Sequence, residues 1–163
     1  MSDDGRGANR RRRLALVASK GTLDGAYPPL ILAATAASLG WEVGIFFTFY
    51  GLDIIHRNKH KKLKVASLAN PAMPIPVPNL VGALPGMTAA ATALMKRWMK
   101  DSNLPDVPQF LDMARESGVR LFACSTTMGV MGIAASDLIP EADVAGAAAF
   151  LDFAADADVS LFV

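Results

Sequence analysis

Three short apolar runs, at residues 14–18, 43–49 and 119–123, constrain the fold of this chain more than any other feature of its sequence. None of them alternates apolar with charged residues, so each has the pattern of a strand that is buried on both faces of a sheet. Helix-forming segments separate the runs, and strands that alternate with helices form a parallel sheet with right-handed crossovers. With two further strands at residues 144–146 and 159–163, the sequence predicts an α/β domain with a mainly parallel sheet of five strands.

The segments between these strands carry the start and stop signals of helices. Thr22 or Asp24 is suited to cap a first helix, and Gly40 is suited to end it. Further helices are predicted at residues 87–99, 109–117 and 147–155. Parallel strands need connections of this length, so the order of elements supports the parallel sheet.

The composition of the 163 residues limits the function classes. A net charge of +1 produces no field that would attract nucleic acid, so no nucleic-acid partner is expected. Hydrophobic residues make up 52% of the chain and charged residues 19%, and this apolar excess predicts a homo-oligomer. A single cysteine excludes an internal disulfide and favours a reducing compartment. We therefore expect a cytoplasmic protein without a secretory signal, with membrane association left open.

Two segments fall outside the alternation of strands and helices. Residues 1–13 are polar and then basic, which predicts a disordered tail before a single domain at residues 14–163. The basic run from Arg10 to Arg13 has the charge to bind phosphate or acidic lipid, although a solvated lead-in to the first strand is the commoner role. Residues 65–100 are interrupted by prolines and are largely apolar, which predicts an insertion that serves as a lid, a subunit interface or a membrane contact.

Cys124 is the only cysteine, and it comes at the end of the third apolar run, where a helix is predicted to begin. Backbone N–H groups at a helix start favour the thiolate, which is the reactive form of cysteine. The carboxyl ends of parallel strands meet at the edge where α/β domains bind ligands, and that edge also receives Lys20, Thr22, Thr48 and Tyr50. The sequence thus predicts that Cys124 does chemistry, while the alternative of an inert, buried thiol stays open.

His56 and His60 are four residues apart, a spacing at which two histidines on one helical face are able to share a metal. Basic neighbours oppose a cation there, so we predict a solvated basic face and no metal site. The turn after the first strand also lacks a Gly-x-Gly-x-x-Gly loop, so no nucleotide or other cofactor is expected.

Several motifs together resemble the DsrE/DsrF/DsrH-like superfamily of small sulfur-handling proteins, and within it the DsrE-like branch often labelled "peroxiredoxin family protein". The matching residues, which span nearly everything after residue 13, are Ser19-Lys20-Gly21-Thr22-Leu23-Asp24, Phe46-Phe47-Thr48-Phe49-Tyr50-Gly51-Leu52, Gly86-Met87, Met95-Lys96, Ala123-Cys124, Met128, Met131-Gly132-Ile133, Gly146-Ala147 and Leu161-Phe162-Val163. The sequence departs from the family pattern at Ser125-Thr126-Thr127, where many relatives place methionine and amide residues, and in the loop at residues 70–85.

This resemblance implies a flavodoxin-like domain, a three-layer sandwich, that assembles into homo-oligomers. It also implies an activity, which is to carry sulfane sulfur as a persulfide on Cys124 and to pass it on. The partners that the resemblance implies are TusA-like carriers and rhodanese-like proteins. A sulfurtransferase or persulfide carrier is therefore the predicted function class.

For the pocket, we expect Thr126 and Thr127, with main-chain N–H groups, to hydrogen-bond the thiolate. Lys20 either lowers the pKa of the thiol, orients an acidic partner or is an ordinary solvated lysine in a turn. Met128 and Met131 either form an apolar wall that keeps water from a persulfide or belong to the ordinary core.

A peroxidase and a non-catalytic binding module are the two alternatives to sulfur relay. A peroxidatic cysteine usually has a threonine three residues before it and a nearby arginine that activates the peroxide. Here leucine occupies position 121, and the adjacent Arg120 is predicted to face the opposite side of the strand from Leu121. A peroxidase is therefore not expected. The alternative to sulfur relay is a non-catalytic binding or assembly module that docks to a membrane or redox complex through residues 65–99, with Cys124 merely buried.

Overall fold

The computed structural model describes residues 10–66 and 86–163 of the chain. Its strands are β1 (Arg13–Ala18), β2 (Glu42–Phe47), β3 (Arg120–Cys124), β4 (Ala142–Ala145) and β5 (Val159–Phe162). Its helices are α1 (Leu23–Ser38), α2 (Met87–Asp101), α3 (Val107–Glu116), α4 (Ser125–Met131) and α5 (Ala147–Ala155). Short 3-10 segments occupy Phe49–Ile54, His60–Lys62 and Ala135–Asp137.

These strands form one sheet in the order β4-β3-β2-β1-β5, and every neighbouring pair is parallel. The register places Leu16 beside Ile45 and Ile45 beside Leu121, so the three apolar runs lie side by side in the middle of the sheet. Strands in this position are covered on both faces, which explains why their residues are continuously apolar. The predicted α/β architecture is confirmed, with a sheet that is entirely parallel.

Helices lie on both faces of the sheet, and the strand order explains which face each helix covers. From β1 to β4 the chain steps in one direction, so right-handed crossovers place α1, α3 and α4 on one face, which we call the α1 face. The step from β4 back to β5 crosses the whole sheet, so α5 lies on the opposite face, the α5 face. The core divides accordingly, because Leu16, Ile45 and Phe47 pack with residues of α1 and α3, whereas Phe46 and Phe122 pack with residues of α5.

Thr22 caps α1, one of the two caps predicted. Its Oγ1 accepts a hydrogen bond from the backbone N–H of Gly25 at 3.2 Å. Asp24 instead accepts a hydrogen bond from the backbone N–H of Ala66 at 2.8 Å, which ties the start of α1 to a later loop. The predicted end of the helix is also confirmed, since Gly40 follows α1 with a positive φ of 79°.

The basic run before β1 belongs to the folded domain, so the predicted boundary between tail and domain at residue 13 was placed too late in the chain. Arg13 is the first residue of β1, and its guanidinium pairs with Glu42 at 2.8 Å and Asp156 at 3.5 Å. Arg10 pairs with Asp158 at 3.0 Å. These ion pairs connect the start of β1 to the start of β2 and to the loop between α5 and β5, which gives two cations of the basic run a structural role. Residues 1–9 lie outside the described residues.

The predicted insertion at residues 65–100 lies in part outside the described residues. Its described end is α2, in which Thr92 is buried. The Thr92 Oγ1 accepts a hydrogen bond from the backbone N–H of Val65 at 3.1 Å and donates one to the carbonyl of Thr88 at 2.7 Å. Among the helices within residues 10–66 and 86–163, none has the length and apolar character to cross a membrane.

The histidine pair is not the solvated face that we predicted, because His60 is buried. The Nδ1 of His60 lies 2.8 Å from the carbonyl oxygen of His56, within hydrogen-bond distance. The Nδ1 of His56 accepts a hydrogen bond from the backbone N–H of Asn58 at 3.2 Å. The error arose because spacing within a short segment does not show how the segment packs, and the 3-10 turn at His60–Lys62 directs His60 inward.

Candidate functional site

Cys124 ends β3 and precedes the first residue of α4. Only 6% of its surface is exposed, and it packs on the α5 face with Phe46, Phe122 and Phe150. The strand period explains this position, since Phe122 and Cys124 are two residues apart in β3 and therefore point to the same face. The thiol is not part of a disulfide, and aromatic rings form an apolar wall beside it.

The end of β3 is the point at which the connections of the sheet change face. β3 continues into α4 on the α1 face, whereas the adjacent β4 continues into α5 on the opposite face. The connections after β3 and β4 thus leave the carboxyl edge of the sheet on opposite faces, and it is at such an edge that open α/β sheets bind ligands. The ends of β3 and β4 lie close together there, because a Cβ at Gly146, directly after β4, would lie 3.9 Å from Ser125 Oγ. Cys124 therefore occupies the topological switch point of the sheet.

Two threonine hydroxyls connect the thiol to the end of β2. Thr127 Oγ1 donates a hydrogen bond to Cys124 Sγ at 3.3 Å and lies 2.9 Å from Thr48 Oγ1. A hydroxyl has one proton, so when Thr127 donates to the sulfur it accepts from Thr48. Thr48 and Thr127 are 79 residues apart in the chain. The parallel pairing of Phe47 with Ala123 is what brings Thr48 beside the end of β3.

These hydrogen bonds stabilise the thiolate. Burial is the largest single influence on the thiol and raises the pKa of Cys124, because a low-polarity environment disfavours charge. Hydrogen bonds from the hydroxyl and backbone of Thr127 and from the backbone of Thr126 lower that pKa, as does the neighbouring hydroxyl of Thr48, and together these groups outweigh the burial. The net effect is a pKa below the ordinary value for cysteine, which favours a nucleophilic thiolate.

Thr48 is held in place by two loops that fit closely against each other. The backbone N–H of Thr48 donates to the carbonyl of Ala18, and that of Gly51 donates to the carbonyl of Ser19, at 3.0 and 3.1 Å. A Cβ at Gly51 would lie 2.0 Å from the Ala18 carbonyl oxygen, and one at Gly21 would lie 2.1 Å from the Tyr50 carbonyl oxygen. Both glycines are therefore required by the close approach of the loops that follow β1 and β2.

The other polar residues predicted for the site lie at the same sheet edge but contribute differently. Ser125 and Thr126 are exposed beside the thiol, and Tyr50 is exposed in the loop after β2. Lys20 is exposed with its Cβ toward Gly25, and it is not among the groups that shift the pKa of Cys124. The hydroxyl of Thr22 is used to cap α1 and makes no described contact with the thiol.

Met128 and Met131 belong to the core on the α1 face. Met128 is buried in the cluster that contains the α1 and α3 side chains, and Met131 is half-buried against the same cluster. Cys124 packs in the other cluster, on the α5 face. Of the two roles considered for these methionines, the structure therefore places them in the ordinary core.

The sequence interpretation missed the wall that does lie beside the thiol. Phe46 and Phe150 stack with ring centroids 4.8 Å apart, and Phe122 meets Phe150 edge-on at 5.8 Å. The period of two along β3 was a usable signal for Phe122. No local signal marks Phe46 or Phe150, because their contact depends on which face receives α5.

A separate cleft of about 980 Å³ lies between the 3-10 turn at His60–Lys62, α2 and α3. Tyr27, Met99 and Leu104 form apolar parts of its lining, and Lys61 and Glu116 carry opposite charges there. None of the predicted site residues lines this cleft. Cys124 and the hydroxyls around it therefore lie outside this cleft, at the carboxyl ends of the strands.

Removing the Thr127 hydroxyl should make the thiol less reactive. In Thr127→Val the loss of a hydrogen bond to sulfur should raise the pKa of Cys124, so less thiolate is present at neutral pH. We expect several-fold slower alkylation by iodoacetamide at neutral pH and a rate profile displaced to higher pH. Rates measured across a pH series give both quantities.

Thr127→Ser is the matched control, because it keeps the hydroxyl and should retain a rate close to that of the wild type. If the valine and serine variants react equally fast at every pH, the Thr127 hydroxyl does not stabilise the thiolate.

Comparison with known proteins gives a consistent result. The model of the DsrE/DsrF/DrsH-like family matches residues 10–162. The sulfur carrier protein DsrE2 of Allochromatium vinosum is 42% identical over 159 residues, covering 94% of this chain and 99% of that protein. The uncharacterized protein YrkE of Bacillus subtilis is 31% identical, covering 93% of this chain and 97% of that protein. The crystal structure of the ychN protein from E. coli has a TM-score of 0.59 at 13% identity, covers 93% and 99% of the two chains, and shows the fold alone.

Proposed function

This chain belongs to the DsrE/DsrF/DrsH-like family, as its motifs indicated, and from that premise we propose that it is a sulfur-relay protein. It carries sulfane sulfur as a persulfide on Cys124 and passes the sulfur to partner proteins. The observation that carries this proposal is a single cysteine at the switch point of the sheet, with a thiol pKa that hydrogen bonds lower in spite of burial. The relative named as a sulfur carrier protein supports the same function.

Loading consists of one displacement at sulfur. The Cys124 thiolate attacks the outer sulfur of a donor persulfide, the sulfur–sulfur bond of the donor breaks, and the donor thiolate leaves with the electron pair. Cys124 then carries one additional sulfur atom with its proton. The transferred sulfur keeps its oxidation state, so no external oxidant is required. Thr127 and Thr48 are placed to stabilise the charge on Cys124 before the attack.

The surroundings of Cys124 suit a labile persulfide. Phe46, Phe122 and Phe150 limit the access of water from the α5 face, whereas the exposed Ser125 and Thr126 lie on the solvent side. An exposure of 6% leaves the thiol in contact with solvent there, so a donor or acceptor sulfur has to approach from the strand ends.

Intact-mass spectrometry tests the proposal directly. After incubation with inorganic polysulfide and removal of the excess, the wild-type chain should gain the mass of one sulfur atom. Treatment with cyanide should remove that sulfur as thiocyanate, because cyanide reacts with sulfane sulfur. A chain that gains no sulfur at neutral pH contradicts the proposed function.

We place the protein in the cytoplasm, as a homo-oligomer that exchanges sulfur with TusA-like or rhodanese-like proteins. Exposed Ile31, Leu32 and Leu39 of the α1 region and Phe162 of β5 support assembly, since monomers rarely expose so many large apolar side chains.

A second function, docking without chemistry, is favoured by one observation. The exposed Leu94 and Trp98 of α2 lie one turn apart, with the basic side chains of Lys96, Arg97 and Lys100 nearby. Such a surface suits contact with an anionic membrane or a redox complex. Rapid alkylation of Cys124 at neutral pH favours sulfur relay, whereas an inert thiol favours docking alone.

A further inference from the structure

Phe49 has a backbone conformation that its residue type rarely adopts. Its φ is +47°, and within the described residues Asn103, at +53°, is the only other non-glycine residue with a positive φ. Asparagine tolerates this left-handed region well, whereas a bulky residue there is a strained outlier. Phe49 is also 57% exposed, so burial of its side chain does not compensate for the strain.

The turn itself does not explain why a phenylalanine occupies this position. The chain must turn sharply after Thr48 so that Gly51 can approach the Ala18 carbonyl. Glycine or asparagine would make the same turn with less strain. Strain that persists at such a position points to a function of the side chain itself.

Phe49 lies next to the hydrogen-bonding network of the thiol. It directly follows Thr48, whose hydroxyl is 2.9 Å from that of Thr127. The next residue, Tyr50, is 67% exposed, so two aromatic rings lie on the surface at the sheet edge that carries Cys124. Aromatic side chains are enriched at protein interfaces, and tyrosine is among the residues that most often carry their binding energy.

We infer that Phe49 and Tyr50 form the docking surface for the protein that accepts sulfur from Cys124. This inference rests on the proposed function and adds the recognition surface of the partner. The partner is a protein that presents a cysteine thiolate among apolar residues, since the exposed rings offer an apolar contact, with one positive charge from Lys20 at the same sheet edge. A docked acceptor is also the means by which a thiol with 6% exposure is reached.

Transfer to the acceptor is one displacement at sulfur. The acceptor thiolate attacks the outer sulfur of the Cys124 persulfide, and the bond between that sulfur and Cys124 Sγ breaks. The acceptor becomes the persulfide, and Cys124 leaves as the thiolate that Thr127 stabilises. Phe49 takes no part in this exchange, so its removal should affect the encounter with a protein and not the reaction with a small thiol.

Phe49→Asn tests the inference, because asparagine keeps the left-handed turn and removes the ring. Wild-type and variant chains are loaded with inorganic polysulfide, and sulfur transfer is then followed to glutathione and, separately, to a purified TusA-like carrier protein. We expect the variant to load with sulfur and to transfer it to glutathione at a rate within about twofold of the wild-type rate. Its rate of transfer to the carrier protein should be about tenfold lower than that of the wild type. Leu151→Ala, which removes an exposed apolar side chain from α5, is the control and should transfer normally.

Each other outcome overturns the inference. Equal slowing toward glutathione and the carrier would mean that Phe49 only positions Thr48. If Phe49→Asn transfers sulfur to the carrier protein as fast as the wild type does, Phe49 is not part of a docking surface. The same conclusion follows if the wild type transfers sulfur to the carrier no faster than to glutathione. Slowing in Leu151→Ala alone would place the docking surface on α5, and a changed molar mass of Phe49→Asn in light scattering would assign Phe49 to a contact between copies of this chain. A wild-type chain that does not load at all contradicts the proposed function instead.

Discussion

Replacing Cys124 by serine is expected to abolish sulfur loading while leaving the fold intact. Serine is close to cysteine in size, and its hydroxyl is able to keep the hydrogen bond with Thr127. An alcohol is not ionised near neutral pH, so it provides no nucleophile that would displace sulfur from a persulfide. Intact-mass spectrometry after incubation with polysulfide should show no gain of sulfur in Cys124→Ser and one sulfur atom in the wild type.

Ser125→Ala is the matched control for this experiment. It changes a hydroxyl on the adjacent residue, which is exposed and is not among the groups that lower the pKa of Cys124. This variant should load like the wild type. If Cys124→Ser gains as much sulfur as the wild type, the additional sulfur is not on the thiol and the site assignment fails.

Replacing Phe47 by alanine is expected to cause the largest loss of stability. Phe47 is fully buried in β2, between β1 and β3, and it belongs to the core on the α1 face. Removing a buried phenylalanine leaves a cavity and lowers the free energy of unfolding by about 3–5 kcal/mol. Chemical denaturation followed by circular dichroism measures this change.

Phe162→Ala makes the size-matched comparison, because Phe162 is 74% exposed at the end of β5. At a protein concentration at which the chain is monomeric, its free energy of unfolding should stay within about 0.5 kcal/mol of the wild type. A cost below about 1 kcal/mol for Phe47→Ala would show that the core described for the α1 face does not carry the stability of the domain.

The central strands and the position of the candidate cysteine were predictable from the sequence, because both depend on local patterns. A continuous apolar run such as residues 14–18 reports burial on both faces wherever the strand lies in the sheet. A lone cysteine at the end of such a run lies at the carboxyl edge in any parallel arrangement. The same local reasoning was misled at His60, whose burial depends on the packing of a short turn against other elements.

The environment of the thiol was decided by the tertiary structure alone. The order β4-β3-β2-β1-β5 brings Thr48 beside Cys124, makes the end of β3 the switch point and assigns Phe150 of α5 to the thiol side of the sheet. It also places Met128 on the other side, where it joins the core. Periodicity along a chain determines which residues share a face of a strand. Strand order and the direction of each crossover determine which helix packs against that face. The sequence alone therefore determined the central strands and the cysteine at the end of β3, and the fold decided which groups surround that cysteine.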